Sequence, residues 1–129
     1  MYAVDTNILV RLFTGDDAAQ AKRAVALFKK EFIFIPKTVL LETEWVLRRL
    51  YRIERDTVIN SFRKLGGLGN VEFEQPLVVA QALQWCEEGL DFADAMHLAS
   101  SHSASRFATF DAQMKKNAPT ELKAVVRLL

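Results

Sequence analysis

A single cysteine, Cys86, leaves the chain without an internal disulfide, so the fold cannot lean on one and a reducing cytoplasm is the expected compartment. Long apolar runs are missing too. None approaches the roughly 20 residues that span a bilayer, so no membrane role is expected. Residues 1–13 are apolar but carry Asp5 and Arg11. They lack a basic leader and a cleavage signal, and read as mature structure. There is no repeat, low-complexity tract or linker; the nearest approach is Gly66-Gly67-Leu68-Gly69-Asn70, a loop. No glycine loop cradles phosphate and no serine elbow is present, which argues against P-loop nucleotide chemistry and serine hydrolysis. His97 and His102 stand five apart and share no helix face, too little for zinc. Cys86 has no neighbour that would activate a thiol. Charge of one sign is also lacking. The formal net charge is +1, so any nucleic-acid contact must come from local patches rather than the bulk field.

What remains is a chain of 129 residues, half of them hydrophobic. That suffices for one domain, 1–129, with a core that needs no staples. Strands are expected at 2–4, 32–35, 71–73, 107–110 and 124–126, the first of them buried. Helices are expected at 18–30, capped by Asp16 or Asp17, then at 38–51, 56–65, 76–88 (opened by Pro76, stopped by Gly89) and 91–103. Short apolar strands alternating with helices imply an α/β fold with a parallel sheet covered on both faces. In such sheets, sites form at the carboxyl ends of strands, and two of these strands run into aspartates, Asp5 and Asp111.

Most of the sixteen acidic residues must be solvated surface charge. Asp5 interrupts an apolar run, where a charge is costly to bury unless paired or bound to metal; it is equally placed to cap a helix starting near Thr6. On a helix through 38–51, Glu42 falls beside Val39, Trp45 and Val46, an apolar stripe, or it snorkels at that stripe's edge. Glu44 points the other way and pairs with Arg48 at the surface. Asp91 and Asp94 lie three apart on one helix face, as metal ligands or as an N-cap and a first-turn acid. Asp111 ends a strand, as a ligand or as a cap. Carboxylates that converge without neutralising bases repel one another and need a cation. An all-oxygen set suits Mg²⁺ or Mn²⁺ rather than zinc, and such a site can activate water and stabilise charge on a phosphoryl group.

The ordered set of four acids resembles the PIN domain, and within it the VapC-type toxins. Val4-Asp5-Thr6-Asn7 is similar to the opening motif. Val39-Leu40-Leu41-Glu42-Thr43-Glu44-Trp45-Val46-Leu47 is similar to the second, with Glu42 in the acidic place. Asp91-Phe92-Ala93-Asp94-Ala95-Met96-His97-Leu98-Ala99 is similar to the third, with Asp94 as its acid, and Thr109-Phe110-Asp111 to the fourth. The resemblance implies a three-layer α/β/α fold and RNA phosphodiester cleavage at a Mg²⁺ or Mn²⁺ site. Asp5, Glu42, Asp94 and Asp111 would be the catalytic and metal-holding residues, supported by Asn7, Asp91 and Thr109. It also implies the toxin role in a type II toxin–antitoxin pair, with a homodimer and a small VapB-type antitoxin as partners.

Arg48, Arg49, Arg52 and Arg55 cluster near a helix end, with Arg63 and Lys64 nearby; they are placed to hold an RNA backbone or simply to suit the helix dipole. Trp45 and Trp85 read as packing or interface anchors. Three rivals remain. A phosphoacceptor switch needs an aspartate after a central strand, where this chain has Pro36-Lys37. A non-catalytic PIN-like scaffold is disfavoured by intact acids. A DNA-acting nuclease of related fold is separable only by assay.

Overall fold

The computed structural model describes all residues, Met1–Leu129. They form two compact units, Met1–Pro76 and Leu77–Leu129.

The first unit carries a parallel sheet of β1 (Tyr2–Ala3), β2 (Ile33–Ile35) and β3 (Val71–Phe73), in that order. Tyr2 pairs with Ile33, and Ile33 with Val71. Parallel neighbours need crossovers. Here these are α1 (Thr6–Thr14) with α2 (Ala18–Lys30), then α3 (Lys37–Arg49) with α4 (Arg55–Gly66). Two of these four helices start at an aspartate cap. Asp5 caps α1, which ends at Gly15 in the left-handed region with φ 65°, a conformation that suits glycine. Asp17 caps α2 by accepting from the Gln20 N–H at 3.0 Å. The Glu74 carboxylate accepts from the Lys37 N–H at 3.0 Å, which satisfies a free donor at the start of α3. Ile33 and Ile35 are fully buried. Helix α4 buries Val58, Ile59, Phe62 and Leu65, at i, i+1, i+4 and i+7, one apolar stripe of a half-buried helix. The Asn70 amide closes the turn into β2 by donating to the carbonyls of Phe28 and Glu31.

In the second unit, α5 (Pro76–Glu87) leads through Gly89 to α6 (Phe92–Ser100). Gly89 has φ 118°, which a side chain would disfavour. Strand β4 (Phe107–Thr109), helix α7 (Ala112–Asn117) and strand β5 (Val126–Leu128) complete it, β4 and β5 pairing in parallel. The core here is Val79, Leu83, Phe92, Met96 and Val126, all buried.

Pairing is parallel throughout, as the alternation of strands and helices predicts. Three expectations need correction. The first strand is not buried: Tyr2 and Ala3 are exposed, and Val4 behind them is the core residue. The last strand lies at Val126–Leu128 rather than 124–126, because a 3-10 helix at Thr120–Leu122 and its following turn occupy the preceding residues. Helix α6 ends at Ser100, where the Ser101 N–H turns back to the Leu98 carbonyl. Of the two tryptophans read as packing or interface anchors, Trp85 is buried and Trp45 is 54% exposed.

Candidate active site

The acids fall into two groups, one in each unit. In the first, Asp5 follows β1 and starts α1, where its Oδ1 accepts the Thr6 N–H at 2.7 Å. Its Oδ2 has no partner in the chain. Helix α3 brings Glu42 alongside: the Thr6 hydroxyl donates a short hydrogen bond to Glu42 Oε1. Asp5, Thr6, Asn7, Arg11, Glu42 and Tyr51 line one cleft of about 330 Å³, with Val10, Val46 and Leu50 as its apolar wall. Asn7, a supporting residue by resemblance, is therefore beside both acids.

Beside the acids, Arg11 donates from Nε to Gln20 at 2.8 Å and from Nη1 to Asp16 at 2.9 Å. The Tyr51 hydroxyl donates to the other oxygen of Asp16 at 2.5 Å. That bond, with a bond from Thr14 and the charge of Arg11, holds the Asp16 carboxyl below its ordinary range.

In the second unit, Asp91 caps α6, accepting from the Asp94 N–H at 3.4 Å. Asp94 is half-buried in the first turn. Its carboxyl is pushed up, first by burial, then by repulsion from Asp91 and Asp111, and only His97 opposes this. Asp111 caps α7 through Oδ1, which accepts from the N–H groups of Gln113 at 2.9 Å and Met114 at 3.2 Å. The Asp111 N–H in turn donates to the Thr109 hydroxyl at 3.0 Å, so Thr109 fixes the backbone that carries the acid. Within neither unit do three His, Cys, Asp or Glu side chains already enclose a metal position.

Glu44 is the residue the helical phase misplaces. Expected at the surface, it is buried with Leu40, Thr43 and Leu47, at 5% exposure. The expected pair with Arg48 does form, at 3.1 Å, and explains how a carboxylate tolerates that position: a buried charge needs a partner. Arg48 is thereby committed to Glu44, unlike the exposed Arg49 and Arg52 of the same basic cluster. Thr6, Arg11 and Tyr51 were given no role by sequence reasoning. Thr6 stood inside the opening motif, whereas Tyr51 meets Arg11 across forty positions of sequence and left no local signal.

No curated protein matches the chain. Among solved structures, it is similar to the Mycobacterium tuberculosis toxin VapC20, described as cleaving the sarcin-ricin loop. The identity is 24%, over 92% of this chain and 96% of that one, with a TM-score of 0.41. A PIN-domain family model matches residues 2–118. That match takes in Asp5, Glu42, Asp94 and Asp111 and the α/β fold class anticipated for them, and the chain belongs to the PIN-domain family.

Proposed function

We propose that the chain is a divalent-metal-dependent endoribonuclease and the toxin of a type II toxin–antitoxin pair. The observation that carries this reading is an uncompensated acidic group at motif positions of a PIN domain. Asp94 has its carboxyl raised by burial and by two neighbouring carboxylates, with His97 the one group opposing. Groups that repel in this way are reconciled by a cation. Their donors are all oxygen, the chemistry that Mg²⁺ or Mn²⁺ takes. Asp5, Glu42 and Asp94 would hold the ion, with Asp111 helping to position it or the attacking water. A bound Mg²⁺ or Mn²⁺ supplies Lewis acidity and a more acidic water to a phosphodiester.

The chain's own residues prepare the ligands. The Thr6 N–H fixes Asp5 through one oxygen and leaves the other without a partner. The Thr6 hydroxyl holds Glu42 against Asp5's end of the cleft. Within the second unit, the Thr109 hydroxyl fixes the backbone that carries Asp111. Ligands held in advance cost less ordering when the ion and substrate arrive. Asp91 supports Asp94 by capping its helix.

The substrate in this reading is RNA, and the partners are a second copy of the chain and a small VapB-type antitoxin, in the cytoplasm. The motif resemblance supports these assignments. No helix is long and apolar enough to cross a membrane. The test is to incubate purified chain with RNA and DNA of one sequence side by side, in Mg²⁺, Mn²⁺ or excess chelator. RNA should be cut in metal alone, and Glu42→Gln should lose cleavage. Cutting in full chelator overturns the metal reading. Cutting of DNA alone identifies the DNA-acting alternative, and metal binding without cutting of either identifies the scaffold.

A further inference from the structure

A cleft lined by Asp5 and Glu42 repels the polyanion that the proposed function, on which this inference rests, requires it to admit. Among the residues lining that cleft, one is basic: Arg11. Its side chain is 27% exposed, so it is reachable from solvent yet partly enclosed. Its head group is also fixed before any ligand arrives. Gln20 takes the Nε–H at 2.8 Å, and Nη1 donates to Asp16 at 2.9 Å and to the Tyr51 hydroxyl at 3.4 Å. A guanidinium has five N–H donors in a rigid plane. Three are spent on these anchors. Both N–H groups of Nη2 have no partner in the chain.

We propose that Arg11 is the phosphate-holding residue of the Asp5–Glu42 cleft, anchored by Gln20, Asp16 and Tyr51 and contacting a substrate phosphate through Nη2. The anchors serve two ends. They hold a long side chain in one rotamer, so little side-chain entropy is lost when phosphate binds. They also keep the guanidinium from folding onto Asp5 and Glu42, where it would neutralise the carboxylates. Asp16 cancels the charge only in part: it is 42% exposed, and it shares its oxygens among Arg11, Thr14 and Tyr51. A solvated partner of this kind is strongly screened. Arg23 lines a neighbouring cavity but not this cleft, which makes it the natural control.

The experiment measures binding of a fluorescein-labelled short oligouridylate against salt concentration in Mg²⁺, in an Asp94→Asn background so that the probe is not consumed. It adds steady-state cleavage kinetics in the parent. Arg11→Gln should flatten the plot of log affinity against log salt by about 0.7, the contribution of one phosphate contact on a single strand. KM should rise about tenfold, the worth of one charge-assisted hydrogen bond. Arg11→Lys should keep the salt slope and raise KM, because it keeps the charge and loses the anchors. Arg23→Gln should leave the slope unchanged. Asp16→Asn, which spares the guanidinium and removes its counter-charge, should tighten binding; this arm stands whether or not Arg11→Gln folds. An unchanged slope in Arg11→Gln, an equal loss in Arg23→Gln, or weaker binding in Asp16→Asn overturns the role of Arg11 and leaves the ribonuclease reading intact. A parent chain that neither binds nor cuts the oligouridylate overturns both.

Discussion

Replacing Glu44 by Gln, beside Glu42 by Gln, separates a structural carboxylate from a site carboxylate two positions away. Glu44 is 7% exposed at its side chain and accepts from Arg48 at 3.1 Å, Arg48 being 30% exposed. Removing one partner of a fully buried pair costs about 3–5 kcal/mol. Arg48 can turn its head toward water, so the cost here falls to about 1–2 kcal/mol. For a domain of this length, about 1 kcal/mol moves the melting temperature by roughly 3–5 °C. Glu44→Gln should therefore melt roughly 3–10 °C lower, in chelator as in metal. Glu42 is exposed, and Gln still offers an oxygen to the Thr6 hydroxyl. Its metal-free melting temperature should stay within about 2 °C of the parent, the range of ordinary surface changes. Cleavage should show the reverse order. Glu42→Gln loses it together with metal affinity, and Glu44→Gln retains it well below its own melting temperature. Circular-dichroism melts with and without chelator, and cleavage of one RNA by both variants, decide the matter. A destabilised Glu42→Gln beside an unaffected Glu44→Gln would refute the burial pattern of α3. Loss of cleavage in a folded Glu44→Gln alone would refute the site.

Asp94→Asn should stabilise the metal-free chain at neutral pH. The folded-state carboxyl is raised by burial and by Asp91 and Asp111. Its protonated form therefore favours folding, and that contribution is lost as pH rises through the raised value. Melts in chelator across acid to neutral pH should converge with the parent at the acid end; a variant less stable than the parent at neutral pH would contradict this. Gly66→Ala should cost about 1–3 kcal/mol by overpacking, since a Cβ there meets the Phe73 ring at 2.6 Å. Denaturant unfolding reads it directly, and an unchanged midpoint would show that the ring moves aside freely.

Where a local rule governed an element, the sequence was enough to find it. Asp17 and the run behind it announce α2, which is capped and bounded as expected. Pro76 opens α5, and β3 falls at Val71–Phe73. Helix α3 was found but misphased. Its apolar residues, Val39, Leu40, Leu41, Trp45, Val46 and Leu47, wrap well over half the wheel. A stripe that wide does not say which edge faces the core, and the tertiary neighbours choose Leu40, Thr43, Glu44 and Leu47. Helix α7 offers one buried residue, Met114, too little for any period to show. Thr6 and Tyr51 act through partners 36 and 35 residues away, contacts to which no window on the sequence is sensitive.

The sequence posed a choice for each aspartate, helix cap or metal ligand, and the structure shows that the choice was not exclusive. Asp5, Asp91 and Asp111 cap α1, α6 and α7. A cap spends a carboxylate's lone pairs on backbone N–H groups, and at Asp5 and Asp111 one oxygen does all of that work. Asp5 uses Oδ1 for Thr6 alone, and Asp111 uses Oδ1 for both Gln113 and Met114. The second oxygen of each makes no hydrogen bond in the chain. A helix N-terminus also attracts negative charge, so capping holds and aims these carboxylates without an ion pair to a basic side chain. A lysine or arginine could hold the same acids, but it would compete with a cation for them. Capping therefore serves the proposed chemistry better than an ion pair would. Asp94, which caps nothing and sits half-buried among like charges, is the acid whose carboxyl is raised, and a bound cation would relieve it most.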